Sequence, residues 1–290
     1  MSLVVAPIDR VAAQEAIKYH YDIGNAFYAL WLDAGMSYSC AMWPEGQNDT
    51  DIEAAQLRKL DYHLTESRAI EAKRVLDIGC GWGSLITRLT ERNPKLQHAM
   101  GLTLSAEQAA HVRDLGLPSV NVKIENWLDH QPVEPYDAMI SIGAFEHFAA
   151  PEDTVAEKRA KYRRFFEFVR DHLNRHGRLS LQTIAYLNLD RNQASAFMEK
   201  EIFPNADLPT LTDITEAAAG VMEVVLVRND RLDYARTCEI WVQRLKANRE
   251  QAVALVGTET VKRYERYLQL SSLGFFMGKI CLLRLTLQRS

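Results

Sequence analysis

The chain has 290 residues, 47% of them hydrophobic and 25% charged, with a formal net charge of −4. That length and ordinary composition suit one large globular domain, or one domain with a lid, and the acidic balance leaves no nucleic-acid footprint. Four scattered cysteines without a C-x-x-C pair argue against zinc and against a disulfide framework, so a reducing cytoplasm is expected.

The N-terminal apolar run from Leu3 to Pro7 is too short for a signal segment. Residues 12–34 have helical periodicity and carry Tyr19, Tyr21, Phe27, Tyr28 and Trp31, and residues 51–71 form a second helix with Ile52, Leu57, Leu60 and Leu64. From Arg74 onward strands and helices alternate. Strands are predicted at 74–78, 99–103, 120–124, 138–142 and 179–184, with helices at 84–92, 106–115 and 156–172. Such alternation predicts a mostly parallel sheet covered on both faces, with ligands outside the carboxyl ends of its strands. Within the third helix, the run 158–164 holds Lys158, Arg159, Lys161, Arg163 and Arg164 flanked by acids. It reads as a solvated face, or alternatively as a dock for an acidic carrier protein or an anionic membrane. Residues 192–219, with Phe197, Met198, Ile202 and Phe203, depart from the alternation and predict helices and a loop over the site. Strands at 223–228 and 280–288 and helices at 237–255 and 259–273 complete the chain. The apolar tail 273–287 is interrupted by Lys279 and Arg284 and falls short of the ~20 residues a bilayer span requires.

The most informative segment follows the first strand of the alternation. Val75-Leu76-Asp77-Ile78 leads into Gly79, Gly81 and Gly83 at alternate positions, then into a helix. A turn this tight needs residues that tolerate unusual backbone angles, and a ligand that approaches the backbone needs side chains absent. A dinucleotide site would space its glycines G-x-G-x-x-G, with an acid about 20 residues later. Here the spacing is G-x-G-x-G and Asp77 precedes it. A bare turn is the plainer alternative, but it would not need three glycines at their cost in backbone entropy. The segment resembles the first motif of class I S-adenosylmethionine (SAM) methyltransferases.

Further segments narrow the resemblance: residues 19–28 (YHYDIGNAFY), 36–43 (MSYSCAMW), 101–108 (GLTLSAEQ), 141–148 (SIGAFEHF) and 201–204 (EIFP). Together they are similar to the cyclopropane fatty acid synthase family, most of all its mycolic acid cyclopropane synthase branch. The resemblance implies an α/β fold, a seven-stranded, mostly parallel Rossmann-like sheet with helices on both faces and a helical cap. It implies an N-terminal lid over 1–70, a SAM-binding core over 71–185, an acceptor cap over 186–222 and closing core elements over 223–290. Tyr38 and Ser39 would contact the methionine end of SAM, with Gly79 and Gly81 beneath it. Thr103 and Gln108 would hold the ribose, Asn126 and Trp127 would meet the adenine, and Asp77 and Ile142 complete the cofactor set. These types suit the roles, since a hydroxyl can bond a ribose and an indole face fits a planar base beside a sulfonium. No metal is implied.

Methyl transfer to an alkene carbon leaves a carbocation, so the site needs aromatic or carboxylate stabilisation and a base. In the family a bound bicarbonate is thought to be that base, and the matching positions are Cys40, Glu146 and Tyr234. Gln182 stands where the family pattern has His before Thr-Ile, and glutamine cannot carry positive charge. That departure moves the expectation from ring closure toward simple C-methylation of an isoprenoid, aromatic or acyl acceptor. Cyclopropanation of acyl lipids and small-molecule N-methylation remain as alternatives. Glu146 in its apolar setting reads as functional, or as a solvated loop carboxylate. His147 reads as structural, and His20 and Tyr21 as part of a lid or as packing of an N-terminal helix. Oligomeric state is open.

Overall fold

The structure, a computed structural model, is described over residues 23–46, 50–189 and 207–289. Tyr19, His20, Tyr21, Phe197, Phe203 and the segment 201–204 lie outside those residues.

Seven strands, β1 (Arg74–Ile78), β2 (His98–Thr103), β3 (Val120–Ile124), β4 (Tyr136–Ile142), β5 (Leu173–Tyr186), β6 (Glu223–Asn229) and β7 (Ile280–Gln288), form one sheet in the order β3-β2-β1-β4-β5-β7-β6. All pairs are parallel except those of β7, which runs antiparallel to both β5 and β6. This is the class I SAM-methyltransferase sheet. The helices are α1 (Asn25–Ala29), α2 (Ile52–Glu66), α3 (Ser84–Arg92), α4 (Ala106–Asp114), α5 (Val155–His172), α6 (Leu211–Ala218), α7 (Arg231–Ala247), α8 (Arg249–Val256) and α9 (Thr258–Phe276).

Period-two alternation along the strands sorts the core. Leu76, Met100, Met139, Leu179 and Leu285 face α5 and α6, where Phe165, Phe166 and Ile214 meet them. Val75, Ala99, Ala138 and Ile140 face the other way, toward Leu60 and Leu64 of α2 and Leu85, Ile86 and Leu89 of α3. A third cluster joins the N-terminal segment to the C-terminal helices through Phe27, Tyr28, Trp31, Trp241, Tyr264 and Leu268. All five tryptophans are buried.

The predicted strands all form, and β4 and β5 begin earlier than expected, at Tyr136 and Leu173. Helix boundaries differ where a side chain competes with the helical ladder. In the helix predicted over 12–34, the described residues are helical only from Asn25 to Ala29, and the Asp33 carboxylate then takes the Gly35 and Ser37 amides to make a turn. The helix predicted over 51–71 breaks after Glu66, where the Ser67 hydroxyl bonds back to the His63 carbonyl and Arg68 takes φ of 62°. The helix predicted over 237–255 starts at Arg231 and divides at Asn248. The basic run of α5 divides: Arg163 and Arg164 are solvated, as its composition suggests, whereas its lysines turn inward. Lys158 and Lys161 are buried, paired with Asp207 and Asp153 at 2.7 Å each, and Arg159 bonds Asp213. Acids from the turn before α5, from the stretch leading into α6 and from α6 itself, two of the three lying far along the chain, draw these cations inward. Their charge is therefore balanced within the fold rather than offered to a carrier or a membrane.

Candidate functional site

A cleft opens at the carboxyl ends of β1, β2 and β4, where β1 lies between its two parallel neighbours. Its floor is the loop 77–81 and its walls are residues 102–104, 125–128, 142–144 and 147–148. Residues 36–39 and Lys59 of α2 close it from above. Tyr38, Ser39, Asp77, Gly79, Gly81, Thr103, Gln108, Asn126, Trp127 and Ile142, the residues expected to surround SAM, all line this one cleft.

Local chemistry explains each wall. Gly79 has φ of 83°, and a Cβ there would stand 2.7 Å from the Ala144 Cβ, so only glycine lets the loops after β1 and β4 approach. Gly81 has φ of 54° and a Cβ there would meet nothing within 4 Å, so it faces open space in the cleft. Thr103 donates its hydroxyl proton to Gln108 Oε1 at 2.7 Å and accepts from the Ser105 amide at 3.2 Å. That bond turns the Gln108 amide NH2 away as a donor. Asn126 Oδ1 accepts from the Leu128 amide at 3.0 Å, forming the turn that carries Trp127. The indole is packed by Phe148, Phe165 and Phe168, with ring centroids 5.2 to 5.5 Å away. The roof is held from two sides. Asp33 accepts from the Ser37 amide at 2.7 Å, while Gln56 donates to the Ser37 and Ser39 carbonyls at 3.3 and 2.9 Å. Lys59, 1% exposed, donates to Ser39 Oγ at 3.0 Å. Burial lowers its pKa to about 8 and raises that of Asp77 to about 7.

The four residues expected to act on the acceptor stand behind this cleft rather than in its lining. Glu146 belongs to a short turn whose next residues, His147 and Phe148, do line it. Its Oε1 accepts from the Ile184 amide at 2.6 Å, and its buried Oε2 has no partner among the described residues. Burial pushes the carboxyl up to about 7. Burial lowers His147 to about 4, so that ring is neutral at physiological pH. Tyr234 stacks on Phe275, centroids 4.4 Å apart, whereas Phe276 is 68% exposed and points away. Cys40 is buried, its thiol raised to about 12 by burial, so it is no nucleophile.

Gln182 is part of a buried polar seam between β5, β7 and α2. Its Oε1 accepts from Arg284 Nε at 2.9 Å and lies 3.2 Å from His63 Nε2. His63 Nδ1 lies 2.8 Å from Ser180 Oγ, and burial, with Arg284 and Lys59 nearby, lowers the imidazole pKa. A neutral ring with Nε2 facing an amide oxygen carries its proton on Nε2. Arg284, fully buried, gives its other donors to Asp230 and to the Cys40 and Ala41 carbonyls. The two basic groups nearest Gln182 are thus a neutral imidazole and a guanidinium already balanced by Asp230. A bicarbonate held by a histidine cation does not fit this set, and no step is derived through one. Among the described residues, no group of three or more His, Cys, Asp or Glu could hold a metal ion, and no helix is long and apolar enough to cross a membrane.

A family profile described as mycolic acid cyclopropane synthetase matches residues 9–285. The chain belongs to the mycolic acid cyclopropane synthetase family. It is 33% identical to cyclopropane mycolic acid synthase 1 of Mycobacterium tuberculosis over an alignment of 291 residues that covers 94% of this chain and 96% of the relative. The solved cyclopropane synthase MmaA2 of Mycobacterium tuberculosis superposes with a TM-score of 0.84 at 30% identity, covering 95% of this chain and 98% of that one. The mycolic acid cyclopropane synthase CmaA1, solved with S-adenosylhomocysteine (SAH) and the detergent CTAB, also gives 0.84, at 32% identity and the same coverage. This member of the synthetase family is therefore a SAM-dependent methyltransferase, and SAM is its cofactor. An open, glycine-floored cleft with a buried ammonium and carboxylate at one end and an indole in its wall fits that cofactor.

Lys59, His63 and Arg284 were not singled out by the sequence. The signal was present as Gln56, Lys59 and His63 at helical spacing on the face that Leu60 and Leu64 predict to be buried, and as Arg284 inside the apolar run of β7.

Proposed function

We propose that the enzyme transfers the methyl group of SAM to an electron-rich carbon of an apolar, unsaturated acceptor, and that Glu146 is the base that removes a proton from the resulting cation. SAM supplies an electrophilic methyl on a sulfonium. The C–S bond breaks as the new C–C bond forms, the sulfur keeps the electron pair, and a proton leaves the acceptor. The cofactor side is assigned to the residues lining the cleft, with Tyr38 and Ser39 at the methionine end, Thr103 and Gln108 at the ribose, and Asn126 and Trp127 at the adenine.

The observation that carries the base assignment is the free, buried oxygen of Glu146. One carboxylate oxygen is fixed by the Ile184 amide and the other has no partner among the described residues, in a site where the carboxyl titrates near 7. A base with a pKa near the working pH is the favourable case for proton transfer. Tyr234 and Phe275 supply aromatic faces nearby, and the buried carboxylate can stabilise positive charge. An apolar acceptor accords with the lipid-like detergent held by CmaA1 and with the "fatty acid methyltransferase" of Pseudomonas putida, 33% identical over 280 residues. Gln182, with its oxygen taken by Arg284 and His63, favours methylation without ring closure.

Incubation with methyl-deuterated SAM and mass spectrometry of unsaturated lipids, prenyl compounds and small amines tests this reading. An intact CD3 on carbon is expected. A CD2 product would mean that the transferred methyl lost a deuteron, as cyclopropane formation requires, and an N-linked CD3 would move the enzyme to the N-methyltransferases.

A further inference from the structure

Lys59 is a buried ammonium in the cleft lining with a single hydrogen bond among the described residues. It rises from the middle of α2, is 1% exposed, and lines the cleft together with Ser39 and Asp77. An ammonium has three N–H donors. One goes to Ser39 Oγ at 3.0 Å. The other two have no partner among the described residues, and no carboxylate there lies within ion-pairing distance. Asp33 is committed to the Ser37 amide, the Ser37 hydroxyl and the Gly35 amide. Burying a cation with unused donors is costly, and a structure that keeps it there has an anion in view. Asp77, the acid of the floor, likewise accepts no hydrogen bond from a described side chain, and Lys59 lowers its pKa against the effect of burial. The cleft lining therefore presents both an ammonium and a carboxylate, the complement of a zwitterion.

We propose that Lys59 receives the carboxylate of the methionine end of SAM, donating to it the two N–H bonds that Ser39 leaves over, while Asp77 faces the cofactor's ammonium. The assignment rests on the cleft being the SAM site and adds the residue that recognises the amino-acid end. It also gives Ser39 a second task, since its hydroxyl orients the ammonium before the cofactor arrives. Gln56 supports the arrangement by pinning the Ser37 and Ser39 carbonyls from one helical turn away.

The test compares two ligands that differ in that end alone. Calorimetry gives the affinities of SAH, which carries the amino-acid group, and of 5′-methylthioadenosine, which lacks it. In Lys59→Met, SAH should bind roughly 10- to 100-fold more weakly than to wild type, the loss expected for a charge-assisted bond, while methylthioadenosine changes by less than about threefold. Methylthioadenosine binding also reports that the variant is folded. An equal loss for both ligands, or none for either, would overturn the assignment while leaving the cofactor site intact. A second measurement needs no variant. Wild type should prefer SAH over its carboxamide by roughly tenfold or more, and equal affinity for the two would overturn the proposal. Wild type that binds neither SAH nor methylthioadenosine would remove the cofactor reading itself, an outcome distinct from both.

Discussion

Glu146 holds one carboxylate oxygen against the Ile184 amide and keeps the other buried without a hydrogen-bond partner among the described residues, so its two oxygens are inequivalent. Glu146→Gln should lower turnover by about 10²- to 10⁴-fold, the usual worth of a positioned base, while SAH affinity by calorimetry stays within about threefold. An equal fall in both would make Glu146 a cofactor residue instead. The same burial sets two pH dependences. The carboxylate is the active form, so wild-type turnover should rise through pH 7 and level off above it. For stability the sign is opposite. The folded carboxyl titrates near 7 and the unfolded one near 4.5, so the folded state holds a proton that the unfolded state releases between those values. Stability from this group is therefore full below 4.5 and declines as pH rises to 7. Glu146→Gln escapes that decline, and its unfolding free energy should gain on wild type by on the order of 3 kcal/mol across the window. Urea unfolding at several pH values measures it.

Elements, more than single residues, decide what the glycine loop does. The turn from β1 into α3 places Gly79 against the loop after β4 and Gly81 over open cleft. Gly79→Ala must displace Ala144 and should destabilise the fold by about 2 kcal/mol or more in urea. Gly81→Ala meets no neighbour and should cost only about 1 kcal/mol for its left-handed backbone, yet weaken SAH at least tenfold, because its methyl enters the ligand's space. Normal SAH binding by Gly81→Ala would place the cofactor elsewhere. At this scale the sequence was most readable. The alternation of strands with helices from Arg74 onward already shows the parallel sheet, whereas apolar neighbours such as Val75 and Leu76 are assigned to opposite faces only in the structure. Helix ends were less readable because Ser67 and Asn248 act through hydrogen bonds that periodicity does not contain. The glycines and Thr103 stand next to their strands and so announce themselves. Lys59, His63 and Arg284 do not, because each meets its partner across a chain separation that only the folded sheet closes.

The whole molecule is closed by Arg284. From the second-last position of the sheet order it reaches Asp230, Gln182 and the Cys40 and Ala41 carbonyls, tying β7, β5 and the loop that roofs the cleft into one buried unit. Arg284→Met leaves the Gln182 oxygen and two backbone carbonyls without their buried donor, while Asp230 keeps Arg228, so it should cost about 2–4 kcal/mol in urea unfolding. It should also weaken SAH, since the roof over residues 36–39 loses its anchor, and a variant with native SAH affinity would show that roof to be held by Gln56 and Asp33 alone. The buried tryptophans carry a practical consequence. Trp82 and Trp127 line the cleft, while Trp31, Trp43 and Trp241 lie in the packing between the N-terminal segment and the C-terminal helices. Intrinsic emission of the folded chain is therefore blue-shifted, a ligand in the cleft perturbs only the first two indoles, and unfolding moves all five to the red. Intensity and wavelength of one unlabelled sample report occupancy and folding as separate optical signals.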